Sequence, residues 1–406
     1  MKFTLFLLVT LIVGPGAILP PGAAAADTLP VQGLGPRDAL LVVDPAGKTI
    51  ISHNPERRMV PASTLKVLTS LAALHILGED YRFPTDFFVA ADGSLIIKGY
   101  GDPLLISEVI VPLAQTLAAK LPDGIQDILV DESYFAEPLD IPGVSSSTNP
   151  YDAPNGALCV NFNTVFFTRA NGRLQSAEPQ TPLLPMVTER IRHSGLREGR
   201  IVLSRSGGEA QRYAGQLFRY FLERAGVPVR GQVRMAAENA TRGARLLHRH
   251  ISPYDLPEVI HRLLEFSNNY TANQLLLAMG AHQAGPPATL AKGVQAMETF
   301  ARKELGLRRA VMTEGSGISR ANRLSARAMT AVLDRFVPYC ELMPRKGREF
   351  YKTGHLKGVR TRVGYIAASQ GLYRFVLFRN HAGRTTGPVM RQVHRYLTAG
   401  KGVNRP

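Results

Sequence analysis

Apolar residues run together at Ala39-Leu40-Leu41-Val42-Val43, stop at Pro45-Ala46-Gly47 and resume at Thr49-Ile50-Ile51. That pattern predicts a β-hairpin over 38–51 with the Pro-Ala-Gly stretch as its turn. Pro61 stands where a helix can begin, and Leu65, Val67, Leu68, Leu71, Leu74, Ile76 and Leu77 then fill more than one helical face. A helix that is apolar on several faces belongs inside a core. Over 83–245 the texture changes to short strand-like runs, such as Leu95-Ile96-Ile97 and Ile128-Leu129-Val130, broken by Gly-Asp-Pro, Pro-Asp-Gly and Asn-Gly turns. One helix, near 108–120, is expected there. The helical period returns over 255–264, 271–279, 290–305 and 325–336, and the chain closes with a strand pair at 364–367 and 373–378 and a helix near 388–397. This order predicts an α/β (α+β) fold in which the two ends, 27–82 and 246–406, form one domain and 83–245 is a β-rich insertion.

At 406 residues with 45% apolar side chains, the chain can build two or three packed domains. Two cysteines and evenly spread apolar residues exclude a disulfide scaffold and a disordered tail. Lys and Arg outnumber Asp and Glu by 48 to 32, a formal net charge of +16, and the excess is mostly dispersed arginine. Such a surface is either simply solvated or matched to an anionic partner. No paired-cysteine zinc spacing, basic block leading into heptads or RNA-binding aromatic strand is present, so nucleic acid is not expected. The charge suits an acidic envelope polymer or loose attachment to an anionic membrane surface equally well.

The first segment changes the compartment. Lys2 precedes an apolar run from Phe3 to Val13, and Ala23-Ala24-Ala25-Ala26 follows Gly14-Pro15-Gly16. This reads as a secretory signal over 1–26, cleaved after Ala26, whose apolar run is too short to span a bilayer. Outside the cytoplasm, Cys159 and Cys340 have two open fates, a disulfide or two buried thiols.

Three short motifs can carry chemistry. Ser63-Thr64-Leu65-Lys66 sets a hydroxyl and an amine three residues apart, which makes them neighbours on a helix. The lysine can take the serine proton if burial or nearby cations keep it neutral, and a helix start near Pro61 would aim the Ser63 N–H at a developing oxyanion. Ser-x-x-Lys alone arises by chance about once in every chain or two of this length. Lys352-Thr353-Gly354 precedes the terminal strand pair, where a lysine and a hydroxyl can hold a carboxylate and a glycine lets another backbone pair alongside; the bland alternative is a turn into a strand. Ser267-Asn268-Asn269 offers a hydroxyl for proton relay and a carboxamide for an amide carbonyl. Ser147-Thr148-Asn149 matches the same triplet but sits in a Ser-rich, Pro-flanked loop, so Ser267 is preferred.

In this order the triplets resemble the serine penicillin-recognising enzymes. About two hundred residues separate Ser63 from Ser267, and a gap filled by a β-rich insertion is similar to the D-alanyl-D-alanine carboxypeptidases and endopeptidases of the penicillin-binding protein 4 type, peptidase family S13. Gly99-Tyr100-Gly101-Asp102-Pro103-Leu104, Tyr151-Asp152-Ala153-Pro154 and Asn161-Phe162-Asn163-Thr164-Val165 resemble its inserted domain; Ser267–Asn273 and Gly315-Ser316-Gly317-Ile318-Ser319-Arg320 resemble its catalytic domain.

The resemblance implies a serine β-lactamase/penicillin-binding-protein-like transpeptidase fold in the periplasm or cell envelope, without cofactor or metal. It implies that Ser63 attacks the bond between two D-alanines of a peptidoglycan stem peptide and that Lys66 is the acylation base. Ser267 and Lys352 would pass a proton to the leaving amine. Asn269, Thr353 and Gly354 would hold substrate, and the N–H groups of Ser63 and His355 would hold the oxyanion. β-Lactams would stall at the acyl stage. His355 departs from the usual Thr or Ser, which weakens recognition of a terminal carboxylate and favours endopeptidase or weak carboxypeptidase action. The shorter insertion implies a reduced or absent nested domain. The alternative is a catalytically weak or inactive protein of the same fold that binds peptidoglycan.

Overall fold

The computed structural model describes residues 30–204, 208–383 and 385–399; the expected signal segment, 1–26, lies outside them. In chain order, the first block holds β1 (Asp38–Val43), β2 (Thr49–His53) and α1 (Leu65–Leu77). The middle holds β3 (Pro84–Val89), β4 (Leu95–Gly99), α2 (Ser107–Ala118), β5 (Ile128–Asp131), β6 (Thr164–Ala170), β7 (Arg173–Ser176), α3 (Pro185–His193), β8 (Gly199–Val202), α4 (Glu209–Arg224), β9 (Val233–Met235) and β10 (Arg245–Ile251). The last block holds α5 (Leu256–Phe266), α6 (Asn269–Ala284), α7 (Leu290–Leu305), α8 (Ala326–Phe336), β11 (Arg345–Lys346), β12 (Glu349–Leu356), β13 (Val359–Ala368), β14 (Gly371–Arg379) and α9 (Gly387–Ala399).

The two ends of the chain share one antiparallel sheet, ordered β11-β12-β13-β14-β1-β2. β1 is buried along its whole length because both faces are covered. Ala39, Leu41 and Val43 face a core shared with α1 and α5–α8, while Leu40 and Val42 face a second core closed by α9. Leu65 to Leu74 of α1 are all buried, as its many-sided apolar pattern predicts. Truncating a residue such as Leu68 to Ala should cost about 2–5 kcal/mol.

The middle block forms a five-stranded sheet, β10-β3-β4-β5-β9, and a three-stranded sheet, β7-β6-β8, on one shared core. Three features differ from the sequence expectation. Among the described residues the middle block holds three α-helices rather than one; α4 buries Ala210, Tyr213, Ala214, Leu217, Phe218, Phe221 and Leu222 at helical spacing, a period masked by aromatic residues of strand propensity. β10 pairs with β3, so that sheet continues to Ile251, past the boundary expected at 245. The terminal strand pair is a meander of β12, β13 and β14, which puts Lys352-Thr353-Gly354 inside a strand instead of ahead of one. Of the two fates left open for the cysteines, the structure shows the second: Cys159 and Cys340 are unpaired and buried in separate clusters.

The insertion is seated along α6 by polar contacts. Gln274 Nε2 donates to the carbonyls of Gly101 and Gly156 at 3.1 and 2.9 Å, and Asn155 Nδ2 donates to Gln274 Oε1 and Tyr270 O, both at 2.9 Å. Buried amides that lost these partners would be strongly penalised, so the contacts fix the position of the insertion beside the start of α6.

Candidate active site

Ser63 sits in a 3-10 turn, Ala62–Thr64, that leads directly into α1. Ala62 adopts φ 48°, a left-handed conformation costly for a residue with a Cβ, and the surroundings hold it there. Thr361 Oγ1 donates to Pro61 O at 2.8 Å, anchoring the turn to β13. Gly354 and Gly317 press on the turn from two sides: a Cβ on Gly354 would lie 2.8 Å from Ser63 N, and one on Gly317 would lie 1.9 Å from Ala62 O. Only glycine lets both backbones approach this closely.

Lys66, one helical turn on from Ser63, is fully buried and makes three contacts, to Ser63 Oγ at 3.1 Å, Asn269 Oδ1 at 2.7 Å and Ser316 O at 2.7 Å. The last two are acceptors only, so each takes one of the amine's N–H bonds. The remaining tetrahedral position of Nζ therefore faces Ser63 Oγ, as a lone pair when the amine is neutral and as an N–H when it is charged. Burial, followed by the nearby Lys352 cation, pushes Lys66 well below the ordinary lysine range, against an opposing pull from Glu314. The geometry offers Ser63 a base.

The second lysine faces a second serine. Lys352 on β12 donates to Ser267 Oγ at 2.7 Å, and burial pulls its pKa down to about 8. Ser267 links α5 to α6 in a left-handed conformation, φ 56°, stabilised downstream where Asn268 caps α6 by accepting from Thr271 N at 3.1 Å. This kink leaves Asn269 as the first residue of α6, with Oδ1 on Lys66 and Nδ2 donating to the Tyr151 carbonyl of the insertion at 3.2 Å. Ser147, the competing match, donates instead to Asp152.

Gly354 shares one face of β12 with Lys352, whereas Thr353 and the exposed His355 alternate onto the other. Partial burial and the charges of Arg360 and Lys352 hold the His355 imidazole below its usual pKa. β11 ends at Lys346, and Tyr351 N donates to Pro344 O. From Lys352 onward β12 therefore has no further strand on its outer edge among the described residues.

Sequence reasoning missed what holds this cluster together. Glu314, fully buried, accepts from Ser316 N, Ser316 Oγ, Gly317 N, Ser319 N and Asn322 Nδ2. Thr69 Oγ1 of α1 donates to Gly315 O at 2.6 Å, and Gly315 N donates to Asn273 Oδ1 of α6 at 2.8 Å. These bonds aim the Ser316 carbonyl at Lys66. Backbone carbonyls such as those of Ser316 and Tyr151 leave no mark in a sequence, and Glu314 gave only its place beside Gly315-Ser316-Gly317. No group of three or more His, Cys, Asp or Glu side chains converges as a metal site among the described residues.

Known proteins resemble this chain in sequence and in fold. The D-alanyl-D-alanine carboxypeptidase of Actinomadura sp. (strain R39) is 27% identical over 426 residues, covering 86% of this chain and 79% of that protein. The D-alanyl-D-alanine carboxypeptidase DacB of Haemophilus influenzae is 24% identical, with 85% of each chain covered. The crystal structure of penicillin binding protein 4 from Haemophilus influenzae shares the fold with a TM-score of 0.72 at 21% identity, over 89% of this chain and 96% of that one. The model of the D-Ala-D-Ala carboxypeptidase 3 (S13) family matches residues 37–195 and 175–338, and this chain belongs to that family of serine peptidases.

Proposed function

We propose that the protein is a serine D-alanyl-D-alanine carboxypeptidase and endopeptidase that cuts peptidoglycan stem peptides through an acyl-enzyme on Ser63 and is blocked by β-lactams. The observation that carries the reading is the pairing of two buried, pKa-lowered lysines with two serines: Lys66 with Ser63 and Lys352 with Ser267. The curated relatives bear D-alanyl-D-alanine carboxypeptidase names, which supports the substrate class.

The substrate lies along the open edge of β12, its backbone pairing with Lys352–Leu356 as an added strand. Ser63 Oγ bonds to the carbonyl carbon of the penultimate D-alanine while its proton passes to the neutral Lys66 Nζ. The oxyanion sits between the N–H groups of Ser63 and His355, a reading supported by the close approach of Gly354, the residue before His355, to Ser63 N. A proton reaches the leaving amine through the Ser267 hydroxyl and Lys352, the C–N bond breaks, and the terminal D-alanine or a cross-linked stem departs. Water then attacks the Ser63 ester, releasing the shortened stem and restoring the hydroxyl. Asn269 holds the substrate amide, and Thr353 with the charge of Lys352 meets the terminal carboxylate. His355 supplies no hydroxyl to that carboxylate, so a cross-bridge that ends elsewhere loses little by comparison. The N-terminal signal pattern supports export to the periplasm or cell envelope.

The test is labelling with a fluorescent penicillin, beside Ser63→Ala, with intact mass to locate the adduct and a D-Ala-D-Ala peptide to follow release. A stable adduct on Ser63 and peptide cleavage, both lost in the variant, are expected. Full hydrolysis by Ser63→Ala would overturn the mechanism, and saturable binding to sacculi by a folded protein that neither labels nor cuts would favour a binding role.

A further inference from the structure

A cavity of about 450 Å³ opens where the β1–β2 turn, the segment leading to Ser63, the stretch after α7 and the first turns of α8 meet. It shares no residue with the Ser63 site. Its polar rim carries four arginines, Arg58, Arg308, Arg309 and Arg327, above apolar lining from residues such as Val43 and Leu307. Two carboxylates also line it, but both are engaged: Glu56 pairs with Arg327 at 3.0 Å and Asp334 with Arg374 at 2.6 Å. The guanidiniums of Arg58, Arg308 and Arg309 have no hydrogen-bond or ion-pair partner among the described residues.

Three uncompensated cations around one cavity repel one another, and the repulsion is relieved when an anion enters. A single carboxylate brings one charge and two acceptors. A phosphate ester brings up to about two charges and three strong acceptors, a better match to three guanidinium forks. The volume falls within the range that encloses a small molecule, and the apolar lining can take a carbon skeleton attached to the phosphate. We propose that this cavity binds a phosphate-bearing ligand, either a soluble phosphate ester or the headgroup of an anionic lipid.

The probe is inorganic pyrophosphate, titrated calorimetrically into the purified protein, with Arg308→Ala/Arg309→Ala and Arg58→Gln as variants and acetate as the carboxylate control. The expected result is saturable binding at one site, weakened by about tenfold or more in each variant and by added salt, with acetate far weaker. All three arginines are exposed, and an unchanged melting temperature shows that a variant is folded. Vesicles of phosphatidylglycerol in phosphatidylcholine separate the two sources: binding to them that pyrophosphate displaces identifies a lipid headgroup, and pyrophosphate binding without vesicle binding identifies a soluble ligand. No saturable pyrophosphate binding, equal binding by the folded variants, or acetate binding of equal strength would overturn the proposal. None of these readouts depends on Ser63.

Discussion

Replacing Gly354 by Ala tests whether the fit between β12 and the Ser63 turn sets the rate of acylation. The new Cβ would lie 2.3 Å from Thr361 Oγ1, 2.8 Å from Ser63 N and 2.9 Å from Ala62 Cβ. Carbon atoms in contact rest at about 3.5–4.0 Å, so the turn must retreat by roughly 0.6–1 Å. Thr361 must also leave its bond to Pro61 O, the tether that holds the turn to β13. Overpacking of this kind costs about 1–3 kcal/mol and the lost hydrogen bond about 1 kcal/mol more, so a drop of roughly 2–4 kcal/mol in unfolding free energy is expected. The effect on chemistry should be larger than the loss of stability suggests, because a displacement near 1 Å of a positioned nucleophile costs on the order of a hundredfold. Stopped-flow acylation by a fluorescent penicillin gives the rate, and urea unfolding gives the stability. Thr361→Val separates the two contributions, since it removes the tether without adding a Cβ and should lower stability with a smaller loss of rate. A folded Gly354→Ala protein that acylates within about threefold of wild type would refute the argument that this contact positions Ser63.

Three further outcomes follow from the buried ionisable groups. Acylation should rise with pH as Lys66 passes through its lowered pKa to the neutral amine, and should fall again as Lys352 loses its charge near about 8; Lys352→Arg should carry the falling limb beyond about pH 10, and an unmoved limb would remove Lys352 from this role. Glu314→Gln puts an amide donor against groups that already donate, so stability should drop by about 1–3 kcal/mol; with the anion that supports the Lys66 charge gone, the acid limb should move to lower pH, and a pH profile identical to wild type would show that Glu314 does not influence Lys66. Glu132, buried under the backbone N–H groups of Ala157 and Leu158, keeps its proton up to about 8 in the folded protein but only to about 4.3 when unfolded. Between those values the folded state binds more protons, so this group makes stability fall as pH rises, and Glu132→Gln should flatten that slope in urea midpoints measured across the window.

Much of this molecule was legible in its residues. The apolar run of β1 marked one strand of a hairpin, the many-sided apolar pattern of α1 marked a helix inside a core, and the order of elements indicated that the two chain ends combine around an insertion. Ser63 with Lys66, Lys352 with its glycine, and Ser267 with Asn269 stood out as residue types capable of acyl transfer, and their shared order carried the family resemblance. Spacing along a chain sets which groups can be neighbours within one turn or strand, as with Ser63 and Lys66, because local geometry is fixed by backbone periodicity.

Only the tertiary structure decided the rest, since each remaining feature depends on packing between distant segments. The period of α4 was hidden by aromatic residues that suit a strand equally well, until its neighbours buried one face. The preference for Ser267 over Ser147, read from their surroundings in the chain, gained its physical reason only from packing: β12 brings Lys352 against one hydroxyl, while the other donates to Asp152. Cys159 and Cys340 stay apart because separate cores enclose them. The lowered pKa of Lys66 follows from burial and then from the nearby Lys352, and the carbonyl of Ser316 became part of the site only through Glu314 and the helices that aim it. Sequence supplied the reactive groups, and the packing of α1, α6 and β12 supplied their distances and their charge states.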